Sequence, residues 1–167
     1  MAGMMDQLVE ILTEQSERYE ELLGLSLEKR DVIIVNDIEN LQKINHLENL
    51  VISQNQKLEK KRLALVADMA IVLNQKEEDL TLSRIIELME GKEEQEALVT
   101  ARDRIKSILD ELKEVNHQNG QLVNNALEYI EYSTNLLRTS IGQQAPTYGP
   151  GSDDQYTDET GYIDTKK

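Results

Sequence analysis

Apolar residues recur along most of this chain at steps of three and four residues, which is the spacing of one face of an α-helix. The pattern predicts three long helices, at about residues 4–31, 37–75 and 92–140. Because the connections between them are short, consecutive helices are expected to lie antiparallel. The third helix alone would be on the order of 70 Å long. The sequence therefore predicts an all-α protein, built as an elongated antiparallel three-helix bundle or coiled coil.

The segments between the long helices carry the signals of helix ends. The β-branched run VIIV at 32–35 has no partner strand elsewhere, so it is interpreted as a helix end or connector. Asn36 and Glu39 have the spacing of an N-cap and its reciprocal acid, and they predict the start of the second helix. Before the third long helix, Thr81 and Gly91 predict the cap and the stop of a short extra helix.

Polar side chains interrupt all three apolar stripes. At such positions a side chain faces the core, where a buried polar group needs a hydrogen-bond partner. The polar members of the stripes are Ser26, Lys29, Glu48, Asn55, Arg62, Asn119 and Ser133.

The run VNHQNGQLVNN at 115–125 has two open interpretations, a surface slot for a partner or one wall of a polar layer in the core. Heptad counting brings Asn119 level with Glu48, and Glu48 level with Gly24, to within a turn or two. We favour a polar core layer formed by Glu48 and Asn119, in which Gly24 and Gly120 allow the backbones to approach. A buried asparagine of this kind fixes helix register at some cost in stability.

The apolar stripe of the third helix continues beyond residue 125, where the first two helices are expected to leave it uncovered. An uncovered stripe is a groove for a partner helix, and the alternative is that the stripe belongs to the shared core. The predicted partner-binding residues are Leu122, Ala126, Tyr129, Ile130, Leu136, Leu137 and Ile141.

The last 27 residues differ from the rest of the chain. Residues 141–167 hold both prolines, several glycines and many acids, with no apolar period, so they predict a flexible acidic tail after a helical bundle domain at 1–140. The tail also holds three of the six tyrosines, Tyr148, Tyr156 and Tyr162, and tyrosine can anchor a flexible segment to a partner.

Composition and charge exclude several functional classes. The formal net charge of −14 disfavours binding to nucleic acid and to an acidic membrane surface. The absence of cysteine removes disulfides and thiolate chemistry and fits a reducing compartment. The longest apolar run, MAIVL at 69–73, is far shorter than the roughly 20 residues of a membrane-spanning helix, and the N-terminus lacks the pattern of a secretory signal. We therefore expect a cytoplasmic protein without membrane insertion.

No group of residues predicts catalysis. His46 and His117 fall on different helices, outside the main heptad positions, and no acids are placed to complete a metal site with them. We expect no enzymatic activity, no metal and no cofactor. The basic run KLEKKR at 57–62 is interpreted as a solvated helix face that pairs with nearby acids, with docking of an acidic partner segment as the alternative.

Three segments together resemble the FlgN-type flagellar export chaperones. KRDVIIVNDIENLQKI at 29–44 resembles the exit of the family's first helix and the entry to its second, VNHQNGQLV at 115–123 resembles its asparagine-spaced third-helix signature, and PTYGPGSDD at 146–154 resembles its Tyr-Gly tail element. The resemblance implies a cytoplasmic, non-catalytic chaperone whose C-terminal part binds the C-terminal helical regions of flagellar hook-associated (hook–filament junction) proteins. It also implies delivery of these proteins to the flagellar export gate, with Tyr148 and Gly149 as the contact.

Two other functions remain open at this point. A structural coiled-coil protein or assembly scaffold would use the same stripes to self-associate, whereas a client-free chaperone should be a monomer or weak dimer. An ATPase-linked coiled-coil export accessory would be a two-helix hairpin without the short extra helix.

Overall fold

The computed structural model describes residues 2–140, and these residues are helical apart from short connections. The all-α prediction is confirmed for this part of the chain, which contains no strand. Within it, no helix combines the length and apolar content that a membrane span requires. The predicted tail, with Ile141, Tyr148 and Gly149, lies outside the described residues. The elements are α1 (Ala2–Ile34), α2 (Ile38–Val72), a 3-10 turn (Glu77–Asp79), α3 (Leu82–Leu88) and α4 (Glu93–Ser140).

The turn between α1 and α2 corrects the predicted N-cap. Asn36 adopts a left-handed φ of 56° and ends α1, with its N–H donating to the Ile33 carbonyl at 3.2 Å. The N–H of Asp37 donates to the Val32 carbonyl at 3.0 Å, which completes a Schellman motif. Asp37 is therefore the N-cap of α2, and its side chain accepts from the Asn40 N–H at 3.1 Å. That bond, followed by a second from the Asn40 side chain, lowers the pKa of Asp37.

The end of α2 uses the same device. Asn74 has a left-handed φ of 51°, and the N–H of Gln75 donates to the Ala70 carbonyl at 3.0 Å. The helix therefore ends at Val72 and not near Gln75 as predicted. Val72 follows Leu58 and Leu65 at seven-residue steps, but it is 55% exposed at this end of the helix.

The short extra helix is present where the sequence predicted it. Thr81 caps α3 by accepting from the Arg84 N–H at 3.2 Å. Gly91, which separates α3 from α4, has a φ of 78°, a conformation that glycine adopts without a steric penalty.

The chain divides into two units, Met1–Gly120 and Gln121–Lys167, so α4 contributes to both. The first unit holds the main apolar core. In this core the N-terminal end of α1 packs with the C-terminal end of α2, with α3 and with the first turns of α4. Its most completely buried apolar side chains are Met5, Leu8, Met69, Ile85 and Leu98. Burying each of these contributes about 1.5–3 kcal/mol to stability.

Polar contacts between α1 and α4 give the relative direction of these helices within the first unit. Arg104 of α4 pairs with Glu20 of α1 at 2.9 Å, and further along both helices Asn119 contacts Ser26. The two helices therefore run in the same direction here. The N-terminal end of α1 packs against the C-terminal end of α2, so these two helices run in opposite directions.

Candidate functional site

A polar layer lies in the first unit, where α1, α2 and α4 meet. Asn119 is 5% exposed, and its side-chain amide donates to the backbone carbonyl of Ser26 at 2.8 Å. Ser26 itself is 1% exposed, because it sits at an inward position of the α1 stripe. The bond joins α4 to α1 directly and so links their positions along the helix axes.

The hydroxyl of Ser26 connects the same layer to α2. Its oxygen lies 3.3 Å from Oε1 of Glu48 and 3.2 Å from Oδ1 of Asn116. A hydroxyl has one proton, so Ser26 donates to one of these acceptors at a time. The other carboxylate oxygen of Glu48 accepts from Nζ of Lys29 at 2.8 Å, which compensates for the partial burial of this acid.

The structure places Glu48 and Asn119 around the same serine, although it shows no direct hydrogen bond between them. The expected role of the glycines is wrong. A Cβ built on Gly24 or Gly120 would meet nothing within 4 Å, and both residues are exposed. Glu48 of α2 contacts Ser26 and Lys29 of α1 instead of Gly24. Both contacted residues lie within the predicted one or two turns of Gly24.

Asn116 is a member of this layer that the sequence prediction missed. It precedes Asn119 by three residues, so the two share one face of α4, and this spacing was the available signal. The layer also contains an incomplete set of hydrogen bonds. Oδ1 of Asn119 is buried without a partner among the described residues, as is Oδ1 of Asn55 on α2. A buried polar atom without a partner lowers stability, and this cost is consistent with a role in fixing the register of the helices.

A second polar cluster lies in the first unit around Glu59 of α2. Its carboxylate accepts from Nε of Arg62 at 2.9 Å and from the side chain of Gln15, a buried residue of α1, at 3.0 Å. The Arg62 bond is the main reason that the pKa of Glu59 is lowered, and the same bond raises the pKa of Arg62. The cluster gives the inward Arg62 of the α2 stripe a partner on its own helix.

The second unit, in its described part, is the last segment of α4, residues 121–140. Most of its large apolar side chains are exposed, in contrast to the buried residues Leu98, Ile108 and Leu112 earlier in α4. Leu122 and Ala126 are half-buried, and Ile141 lies outside the described residues. The other predicted partner-binding residues are exposed by 69% at Tyr129, 57% at Ile130, 51% at Leu136 and 66% at Leu137.

The exposed apolar surface of this segment is wider than the predicted stripe. Leu127 and Tyr132, which were not among the predicted partner-binding residues, are 59% and 51% exposed. The heptad count passed over them because they fall outside the inward row. Ile130 and Leu137 follow Tyr129 and Leu136 by one residue and form a neighbouring row. We call the exposed apolar surface of residues 122–137 the α4 stripe.

The remaining chemical candidates lie on the surface. His46 and His117 are both exposed. Among the described residues, no group of three or more histidines and acids is arranged to hold a metal ion. In the basic run at 57–62, Arg62 pairs with Glu59, and the three lysines are exposed.

Comparison with known proteins adds a family assignment to this geometry. A family model described as FlgN protein matches residues 1–154, which covers all described elements and the Tyr148–Gly149 pair. No curated protein and no solved structure gives a significant match to the chain. Tyr156 and Tyr162 lie beyond the matched region.

Proposed function

The chain belongs to the FlgN family of flagellar export chaperones, and on this premise we propose which clients it binds and through which surface. The proposed clients are the hook-associated (hook–filament junction) proteins, bound through their C-terminal helical regions. The protein acts in the cytoplasm before type III export and needs no cofactor, since binding alone performs the task.

The observation that carries this proposal is the exposure of the α4 stripe. Tyr129, Ile130 and Leu136 are each more than half exposed. Apolar residues earlier in the same helix, at Leu98, Ile108 and Leu112, are buried. An apolar helical surface of this kind fits the apolar face of a second amphipathic helix. An unassembled junction protein exposes such a helix, because the same face packs against its neighbours after assembly.

Covering the client helix explains how the protein prevents premature assembly. While the α4 stripe occupies the apolar face of the client, that face is not available to a second client molecule. Tyrosine is well suited to this contact because it buries a large ring and keeps a polar hydroxyl in water. Release requires only competition for the client helix and no covalent step.

Delivery to the flagellar export gate forms the second part of the proposal. The proposed contact is Tyr148 with Gly149, in the Tyr-Gly element that resembles the family's tail. Support comes from the family match, which extends to residue 154 and therefore includes this pair.

For the fold, we propose that the three long helices α1, α2 and α4 form one antiparallel bundle domain within residues 1–140, with 141–167 as a flexible acidic tail. The shared core of α1, α2 and α4 in the first unit supports the bundle. We also propose a binding protein that lacks catalytic activity, because the FlgN family is a chaperone family.

A binding experiment with three forms of the chain tests the client proposal. A synthetic peptide from the C-terminal helix of a junction protein is titrated into the full chain, into a form that ends at residue 140 and into a form that ends at residue 120. We expect binding by the first two forms and loss of binding in the third. Retention of full affinity by the form ending at residue 120 would exclude the α4 stripe as the client site.

Light scattering tests the alternative of a self-associating scaffold. An exposed apolar stripe can also pair with a second copy of the chain, so the alternative rests on the same residues. If the protein is a chaperone, it should be a monomer or weak dimer at micromolar concentration. Its measured molar mass should then increase by the mass of one client peptide when the peptide is added. A stable higher oligomer that the peptide leaves unchanged would favour the scaffold.

A further inference from the structure

A groove in the first unit opens between α1, α2 and α4 and has a volume of about 780 Å³. We call it the basic groove. Its apolar lining residues are Leu12, Tyr19, Leu82, Ile105, Leu109 and Leu112. Leu109 lines the groove and is 38% exposed, so neighbouring helices do not cover it completely. The groove therefore offers an open apolar surface inside the first unit.

The charged side chains around this groove are mainly cationic. They are Arg62, Arg102, Lys106 and Lys113, opposed by Glu59 and Asp110. Arg62 is paired with Glu59, and Arg102 is paired with its neighbour Asp103. Both lysines are exposed and form no ion pair within residues 2–140. A net positive groove stands out on a chain whose formal charge is −14.

We propose that the basic groove binds residues 152–164 of the same chain, SDDQYTDETGYID, which we call the acidic segment. It carries five carboxylates and no basic residue, so it complements the unpaired lysines Lys106 and Lys113. It also carries Tyr156 and Tyr162, whose rings suit the apolar lining residues of the groove. The proposal gives a role to the two tyrosines that fall beyond the family match.

The chain is long enough for this contact. Tyr156 follows Ser140, the last residue of α4, by 16 residues, which span up to about 55 Å when extended. Lys113 precedes Ser140 by 27 residues, which correspond to about 40 Å of helix.

Paramagnetic labelling of the full chain tests the contact without a client. The chain has no cysteine, so Thr157→Cys carries a single nitroxide label beside Tyr156. The label broadens the NMR signals of the amides that it approaches. We expect the signals of residues 105–113 to lose at least half of their intensity, and to recover in about 0.5 M salt, because screening weakens contacts between exposed charges.

Two charge-reversal pairs provide the matched comparison. Lys106→Glu with Lys113→Glu should restore the signals of residues 105–113. Lys57→Glu with Lys61→Glu changes the net charge by the same amount at exposed lysines of α2 that do not line the groove, and it should leave the broadening unchanged. All four lysines are exposed, so neither pair should disturb folding.

Three results would overturn the proposal. The first is an absence of broadening at residues 105–113 in the full chain. The second is broadening there that survives reversal of Lys106 and Lys113, or that is lost equally with Lys57 and Lys61. The third is broadening that appears only between labelled and unlabelled copies in a mixed sample, since the segment would then bind a second chain. None of these results depends on the proposed client site.

Discussion

The two ends of α4 carry apolar residues at the same heptad spacing but differ in what covers them. In the first unit, Leu98, Ile108 and Leu112 are each less than 9% exposed. In residues 121–140, Tyr129 and Leu136 continue the same spacing but are more than half exposed. Heptad spacing therefore determines which face of a helix is apolar. The neighbouring elements determine whether this face stabilises the fold or remains exposed.

Matched leucine substitutions in the two ends of α4 should differ most in stability. Leu98 is completely buried, so Leu98→Ala should lower the free energy of unfolding by about 2–5 kcal/mol. Leu127 is 59% exposed, and Leu127→Ala should change it by no more than about 0.5 kcal/mol. Urea denaturation followed by circular dichroism measures both. Similar losses for the two variants would contradict the proposed division of roles.

For client binding, substitutions in the exposed α4 stripe are expected to have a larger effect than substitutions in the first unit. Tyr129→Ser with Ile130→Ser should weaken binding of a junction-protein C-terminal peptide at least tenfold, which is about 1.4 kcal/mol, because both side chains lie on the exposed α4 stripe. The control is Leu47→Ser with Leu50→Ser, which removes exposed apolar side chains from α2 in the first unit. Titration calorimetry should show unchanged affinity for the control pair. Equal weakening by both pairs would move the client surface away from the α4 stripe.

A smaller effect on stability is expected at Asn119, which is buried on α4 after Leu98, Ile108 and Leu112. Asn119→Leu removes a buried carbonyl oxygen that has no partner among the described residues, so thermal stability should rise by about 1 kcal/mol. It also removes the bond to Ser26, so the helices should lose a register constraint and the protein should self-associate more readily.

Two measurements check this prediction, thermal denaturation and light scattering. Asn119→Asp is the control, because it keeps the size of the side chain but buries a charge near Glu48 and should lower stability. An Asn119→Leu protein that is less stable than the parent and remains a uniquely folded monomer would show that Asn119 acts in stability and does not specify register.

The smallest effect is expected from the Glu59–Arg62 pair, which tests whether the first unit depends on packing more than on charge. Because the folded pKa of Glu59 is lowered, its stabilisation is complete above the pKa of the unfolded chain and is lost as the pH falls through the folded pKa. The side chain is 42% exposed, so Glu59→Gln should cost less than about 1 kcal/mol at neutral pH.

Urea denaturation at several pH values measures this difference. The gap between the parent and Glu59→Gln should be largest at about pH 7 and should shrink below the ordinary pKa of 4.5, until it disappears once the folded carboxylate is protonated. A gap that stays constant down to pH 2 would mean that Glu59 stabilises the fold by packing and not by its charge.

The helix ends show where reasoning from the sequence was accurate and where it was not. Thr81 and Gly91 were identified correctly because a threonine cap and a glycine stop act through local backbone geometry. Asn36 was assigned to the wrong helix. An asparagine favours both an N-cap and a left-handed helix end, and only the bonds to Ile33 and Val32 decide between them.

The helical class, the approximate length of the main elements and the polar positions within each stripe can be predicted from the residues alone, because they follow from the period of one helix. The partners of those polar residues depend on how the helices pack. Asn119 reaches the backbone of Ser26, and Glu48 reaches Lys29, through contacts between residues that are distant in the chain. Coverage of an apolar face likewise depends on where other elements end. The predicted lengths of the first two helices therefore indicated an uncovered apolar segment beyond about residue 125, and the structure shows that the change from buried to exposed apolar residues on α4 begins near Asn119.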